Sequence, residues 1–346
     1  MNHRSVSITL DVDPLRAYRA IHGLGQLDEV SQPQTQTRGR TRTPDPIYTV
    51  ALPRFWSLIE EVGAPATLFV VGEDAARYAD AFSPVHRTGS EIASHSFVHD
   101  YRLSQRSQGA IDEDLERARI ALLPLAGKDG VVGFRAPGYN VSETLLRCLI
   151  SGGYLYDSSM LPAPAYFGLR AAAIGAYTIT RQPTHSLVGH PRHFAGPLEP
   201  YRMTASRPWK PHPRGVLVEI PIACEPTSRL PIIGTSWTTF PAPIRDALLS
   251  RAQARLRHLN FEMHAIDLLD ATDPGIPPDL VARQRDLRIP LSKKMAAFRS
   301  LFARLGKSAR FQTLRDVAAD LQGAQRAQHP ERHRTNETPT EDAGAR

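Results

Sequence analysis

The chain has 346 residues, 41% of them hydrophobic and 22% charged, with a formal net charge of +7 that comes from arginine far more than from lysine. A chain of this size and apolar content can bury one large core, and a barrel-like domain of ~250 residues or more is ordinary as a single unit. No apolar run reaches the ~20 residues of a membrane span. Two cysteines are too few for a disulfide framework, and no nucleic-acid module accompanies the basic charge, which suits anionic lipid head groups instead.

Residues 5–13 read SVSITLDVD, an alternating apolar strand ending in Asp11 and Asp13, one residue apart. A strand end is where an α/β fold presents its chemistry, and two carboxylates there can divide the work of a base and a metal ligand. Alone, the pair is more often a solvated strand end capping a turn before Pro14. Residues 14–48 then interrupt the rhythm, apolar at first and rich in Gln, Thr and Arg over 31–43, the composition of a mobile loop. A helix is expected over 50–62 and strands over 66–71 and 91–94. The last of these runs into His95-Ser-Phe-Val-His99. On a helix or turn, two such imidazoles share one face, and with a carboxylate they make a three-ligand site with room for water. The spacing alone is weak: with 13 His in the chain, roughly 0.5 such pairs arise from composition. His329 and His333 repeat it within a polar tail.

Farther on, a helix is expected over 110–123, a strand over 131–134, and a helix over 142–151 that Ser142 opens and Gly152-Gly153 closes. Cys148 lies on the apolar face of that last helix and reads as a small core residue, which favours a reducing compartment. Gly133-Phe-Arg-Ala-Pro-Gly-Tyr139, Tyr156-Asp-Ser-Ser159 and Glu262-Met-His264 all fall near predicted strand ends. A second insertion covers 160–214 and opens with an apolar, aromatic stretch over 161–177. From Gln325 the chain is polar and without periodicity, as disordered tails are. Strands alternating with helices argue for parallel βα units, although periodicity does not separate a barrel from an open sheet.

Taken in order, the aspartate pair, Ala66-Thr-Leu-Phe-Val-Val-Gly72, HxxxH, RxPxxY and a late His make the chain resemble the polysaccharide deacetylase family, carbohydrate esterase family 4 or NodB-homology family. The resemblance spans roughly residues 5 to 270. It implies an α/β fold, an incomplete (β/α) barrel; size, broken rhythm and composition add the expectation of residues 1–324 as one domain, insertions 14–48 and 160–214 at the active-site mouth, and 325–346 as a disordered tail. It also implies a metal-dependent hydrolase that removes an acetyl or formyl group from an amino sugar. Asp13, His95 and His99 would hold a divalent ion, with zinc expected, and Asp11 would be the catalytic base. Arg135 would keep Asp11 ionised and oriented. The backbone N–H of Tyr139 would face the oxyanion, and His264 would protonate the departing amine. Asp157 is the best candidate for the acid that tunes the catalytic histidine, with a helix-cap role equally open.

One departure bears on substrate. Asp-Val-Asp replaces the commoner adjacent aspartates and resembles the deformylase branch that acts on lipid-linked aminoarabinose. The expected substrate is therefore an N-acylated amino sugar or glycolipid. The apolar stretch 161–177, with Arg170 and Arg181 near it, is expected at a membrane surface, and the location is expected to be cytoplasmic, because Met1-Asn-His-Arg leads straight into the first strand with no signal peptide before it. Alternatives are a hydrolase of a non-sugar amide, or an inactive homologue that binds sugar or lipid; the intact Asp11, Asp13, His95, His99 and His264 set speaks against the second.

Overall fold

The computed structural model describes residues 4–25, 44–168 and 191–328. Its sheet contains β1 Ser5–Val12, β2 Ala66–Val70, β3 Glu91–Ser94, β4 Gly133–Phe134, β5 Tyr156–Asp157, β6 Tyr201–Met203, β7 Leu217–Glu219, β8 His258–His264 and β9 Arg310–Phe311. The order is β6-β7-β5-β4-β3-β2-β1-β8, with β9 beside the start of β1. Every pairing is parallel except β6 with β7. The sheet curls into a half-barrel, and the segment after β7 reaches β8 through the Ala223 N–H, which donates to the Asn260 carbonyl at 2.9 Å. This is the incomplete (β/α) barrel that the resemblance implied.

Alternation along the strands sorts the side chains. Val6, Ile8, Leu10 and Val12 of β1 pack outward with Leu68, Phe261 and Met263 into one large cluster. It also takes up α1 Leu15–Ile21, α2 Leu52–Val62, α5 Ala242–Arg255 and α6 Leu291–Gly306. On the far side, α3 Gln108–Ala126 and α4 Glu143–Ser151 cover β4 and β6. Ser7, Thr9 and Asp11 of β1 point inward, and Ser7 Oγ donates to the Gln312 carbonyl within the interior. There Phe69, Ala93, Tyr156 and Val218 meet Leu314, Val317 and Ala318 of α7 Leu314–Gln328, which stoppers the end opposite the carboxyl ends of the strands.

Local signals explain most element ends. Ser107 and Ser142 cap α3 and α4, Ser142 Oγ accepting from the Leu145 N–H at 3.2 Å. Gly63 closes α2 in the left-handed conformation that costs glycine least. The expected helix over 50–62 begins at Leu52, after a wide π-type turn over Ile47–Ala51, and the expected strand 131–134 is paired only at Gly133–Phe134. Cys148 is buried on α4 as expected. Of the two insertions, 26–43 and 169–190 lie outside the described residues, and with them most of the stretch expected at a membrane. The tail expectation over 329–346 also lies outside them, while α7 runs past Gln325 to Gln328.

Candidate active site

The site stands at the carboxyl ends of β1, β3, β4 and β8, where a parallel barrel gathers chemistry. Register does the gathering. Asp11 pairs with Phe69 of β2 on one side and with His264 of β8 on the other, so residues more than 250 positions apart become cross-strand neighbours. His95 directly follows β3, and Arg135 directly follows β4.

Asp13, His95 and His99 converge as a compact, buried set. The Nε2 atoms of His95 and His99 each lie 3.1 Å from Asp13 Oδ1. They are not on a helix: the segment is a turn whose Ser96 and His99 take positive φ of 64° and 58°, held by the Ser96 hydroxyl accepting from the His99 N–H at 2.9 Å. Among the described residues, non-glycine positive φ occurs at four positions, and three of them, Ser96, His99 and Tyr139, belong to this site. Strained backbone gathers where the surrounding structure fixes a functional geometry.

The donor set fits a divalent cation. His95 Nδ1 lies 2.8 Å from the Arg135 carbonyl, which can only accept, so a proton sits on Nδ1 and Nε2 is the ring atom left to face the Asp13 carboxylate. Two acceptors at 3.1 Å need a cation or a proton between them. Asp13 Oδ1 is buried without a hydrogen-bond partner. Burial would raise the Asp13 carboxyl, but the His99 and His95 imidazoles beside it hold it well below the ordinary carboxylate value.

Asp11 sits between this set and His264. Its Oδ2 is 4.0 Å from His95 Nε2 and 4.0 Å from His264 Nε2. Its Oδ1 accepts from Arg135 Nη1 at 2.5 Å. Arg135 is fully buried, with Nε donating to the Ser158 carbonyl at 2.9 Å and Nη2 to Thr9 Oγ1 and Ser158 Oγ. The face of its guanidinium lies 4.0 Å from the Phe69 ring centroid. His264 is partly exposed, and its backbone N–H donates to Asp267 Oδ2 at 2.9 Å. Burial would lower the His264 ring, but Glu262 and Asp11 beside it push it up to about 9.

Two expectations differ from what is found. The Tyr139 N–H donates to the Ala136 carbonyl at 2.9 Å, closing the Pro-Gly-Tyr turn, so it does not face the site. The Tyr139 hydroxyl instead donates to Glu262 Oε2 at 3.0 Å. Asp157 is not brought to His264 and caps no helix. It belongs to β5, and alternation turns it away from the interior that holds Tyr156, Ser158 and Arg135.

Glu262 is a member of this cluster to which the sequence reading gave no role. It is fully buried, 3.5 Å from Arg135 Nη1, and burial with the nearby Asp11 charge raises it to about 7. Its signal was its place two residues before His264, on the same strand face. The cavity in front of these groups has a volume of about 540 Å³. Asp11, Asp13 and His264 form its polar end, and Leu230, Pro231, Ile233, Phe240 and Ile266 line an apolar wall.

Residues 41–156 match the sequence model of the family described as polysaccharide deacetylase, about a third of the chain, with Asp11, Asp13 and His264 outside the matched span. No curated protein sequence matches the chain. Among solved structures, one from Mycobacterium smegmatis named for a polysaccharide deacetylase is similar at 18% identity and TM-score 0.55, covering 94% of this chain and 92% of its own. Another of like name from Pseudomonas aeruginosa PAO1 is 17% identical with TM-score 0.52, over 95% and 93%. These two carry the likeness of fold alone, and the family match is to residues 41–156.

Proposed function

We propose that this chain is a metal-dependent hydrolase that removes an N-acyl group, acetyl or formyl, from an amino sugar. The observation that carries the reading is the position of Asp11 Oδ2, 4.0 Å from His95 Nε2 of the ligand set and 4.0 Å from His264 Nε2. A base there lies between a cation site and an acid. Asp13, His95 and His99 would hold the ion, which when bound polarises the amide carbonyl and acidifies water. Asp11, aimed by Arg135, accepts the proton of the attacking water. His264, raised to about 9 and so carrying a proton near neutral pH, delivers one to the departing amine nitrogen. Glu262 takes no proton from substrate in this scheme; it anchors the Tyr139 hydroxyl and faces Arg135.

A lipid-linked amide is a second reading, favoured by the apolar residues Leu230, Pro231, Ile233, Phe240 and Ile266 in the lining of the cavity. An open, wet surface would suit a bare glycan better. The test of the main reading is amine release by zinc-loaded protein from a panel of N-acetyl and N-formyl amino sugars, alongside the ion content of the protein. One ion per chain, chelator-sensitive release, and loss of the ion in a His95→Ala, His99→Ala double variant are expected. Full occupancy in that variant, or no amine from any sugar at full occupancy, sinks the reading.

A further inference from the structure

On the sheet face turned away from the interior, Asp157 of β5 and Glu219 of β7 are register partners, and both are fully buried. Asp157 Oδ1 accepts from Ser159 Oγ at 2.6 Å, and Glu219 Oε1 accepts from the Met160 N–H at 3.0 Å. The other two oxygens, Asp157 Oδ2 and Glu219 Oε2, are buried without a hydrogen-bond partner, on register partners of adjacent strands. Two carboxylates cannot satisfy each other there. Neither brings a hydrogen, and two like charges in an apolar surround repel.

The groups around the pair leave it unneutralised. Tyr201 of β6 pairs with Glu219, but its hydroxyl donates to the Pro208 carbonyl. Phe134 of β4 pairs with Asp157 and is apolar. Ser158 and Ser159 carry no charge. Arg135 is the cation that acts on both carboxyls, yet its N–H groups are committed to Asp11, Thr9 and Ser158. Burial accordingly pushes Asp157 up to about 6 and Glu219 well above the carboxylate range.

We propose that Asp157 and Glu219 share one proton and act as a positioning pair that holds Arg135, and through it Asp11, in place. The path is short. Ser159 Oγ donates to Asp157 and accepts from the Ala136 N–H at 2.8 Å, so it ties the pair to the residue next to Arg135. Ser158, between the two, supplies the carbonyl and hydroxyl that Arg135 grips, and its hydroxyl donates to Ile220, one residue past Glu219. The proposal rests on the reading of Asp11 as base, but the shared proton can be read without any substrate.

Infrared difference spectra between the wild type and Asp157→Asn, and between the wild type and Glu219→Gln, should each show the loss of one protonated-carboxyl C=O stretch. The folded wild type retains a proton that both groups lose on unfolding. Relative to Asp157→Asn, its folding equilibrium should therefore weaken up to tenfold per pH unit as pH rises above the ordinary carboxylate range toward the pair's own ionisation. Asp157→Leu should lose the slowly exchanging guanidinium N–H resonances of Arg135 and at least tenfold in kcat with little change in KM. Asp157→Asn, whose amide can donate to Glu219, should regain most of both. The same C=O stretch in all three proteins overturns the shared proton. Arg135 resonances unchanged in Asp157→Leu overturn the positioning role, and if Asp157→Leu does not fold, a kcat in Asp157→Asn as low as in Asp11→Asn does so. A wild type that hydrolyses no amide defeats the proposed function while leaving the infrared and resonance outcomes to decide this one.

Discussion

At the scale of single residues, the candidate site gives three carboxyls different surroundings. Asp13 faces two imidazoles, Asp11 faces a buried guanidinium, and Glu262 faces mainly burial and the charge of Asp11. In the proposed function the same functional group would therefore serve as ligand, base and anchor. Asp11→Asn separates the first two roles. The amide fills the same space but cannot take up the water's proton near neutral pH, so kcat should fall by about 10²-fold or more, as loss of a general base does. Ion content should stay near one per chain, because Asp13, His95 and His99 are untouched. Loss of ion and activity in proportion would exchange the roles of Asp11 and Asp13.

At the scale of elements, the site depends on how closely β4 and β5 approach. A Cβ at Gly133 would lie 2.0 Å from Tyr156 Cζ and 2.1 Å from its hydroxyl oxygen. The ring cannot yield easily, because that hydroxyl donates to buried Glu91 at 2.9 Å. Glu91 in turn accepts from Thr67 and from the Arg315 N–H at the start of α7. Gly133→Ala should therefore cost about 1–3 kcal/mol, the range of overpacked cores, read as a lower urea midpoint with an unchanged m-value. A midpoint equal to that of the wild type would mean that β4 moves freely, against the view that its position sets Arg135.

At the scale of the whole molecule, net charge and cavity shape bear on where the substrate resides. No helix among the described residues is long and apolar enough to cross a membrane. The net charge is +7, and attraction to an anionic surface contributes roughly 1 kcal/mol per basic side chain near it. If the amide is lipid-linked, the protein should float with anionic vesicles at physiological salt and release at high salt. It should also cleave a lipid-linked N-acyl sugar faster than the free sugar. Protein left in the soluble fraction, with equal rates on both substrates, would remove support for that reading.

The amino-acid order alone determined most elements as far as α4, because alternation and caps are local properties, and it offered His95 and His99 as a pair whose ligand role came through the resemblance to a family. The curled parallel sheet came through the resemblance to a family, since periodicity does not distinguish a barrel from an open sheet. Tertiary structure decided the rest. Glu262 became part of the site because β8 lies beside β1, a pairing across some 250 residues that no local pattern encodes. Tyr139 offers its hydroxyl rather than its N–H because the Pro-Gly-Tyr turn closes on Ala136. Asp157 faces Glu219 rather than His264 because the side chains of a strand alternate and the paired register of β4, β5 and β7 sets which side each one takes.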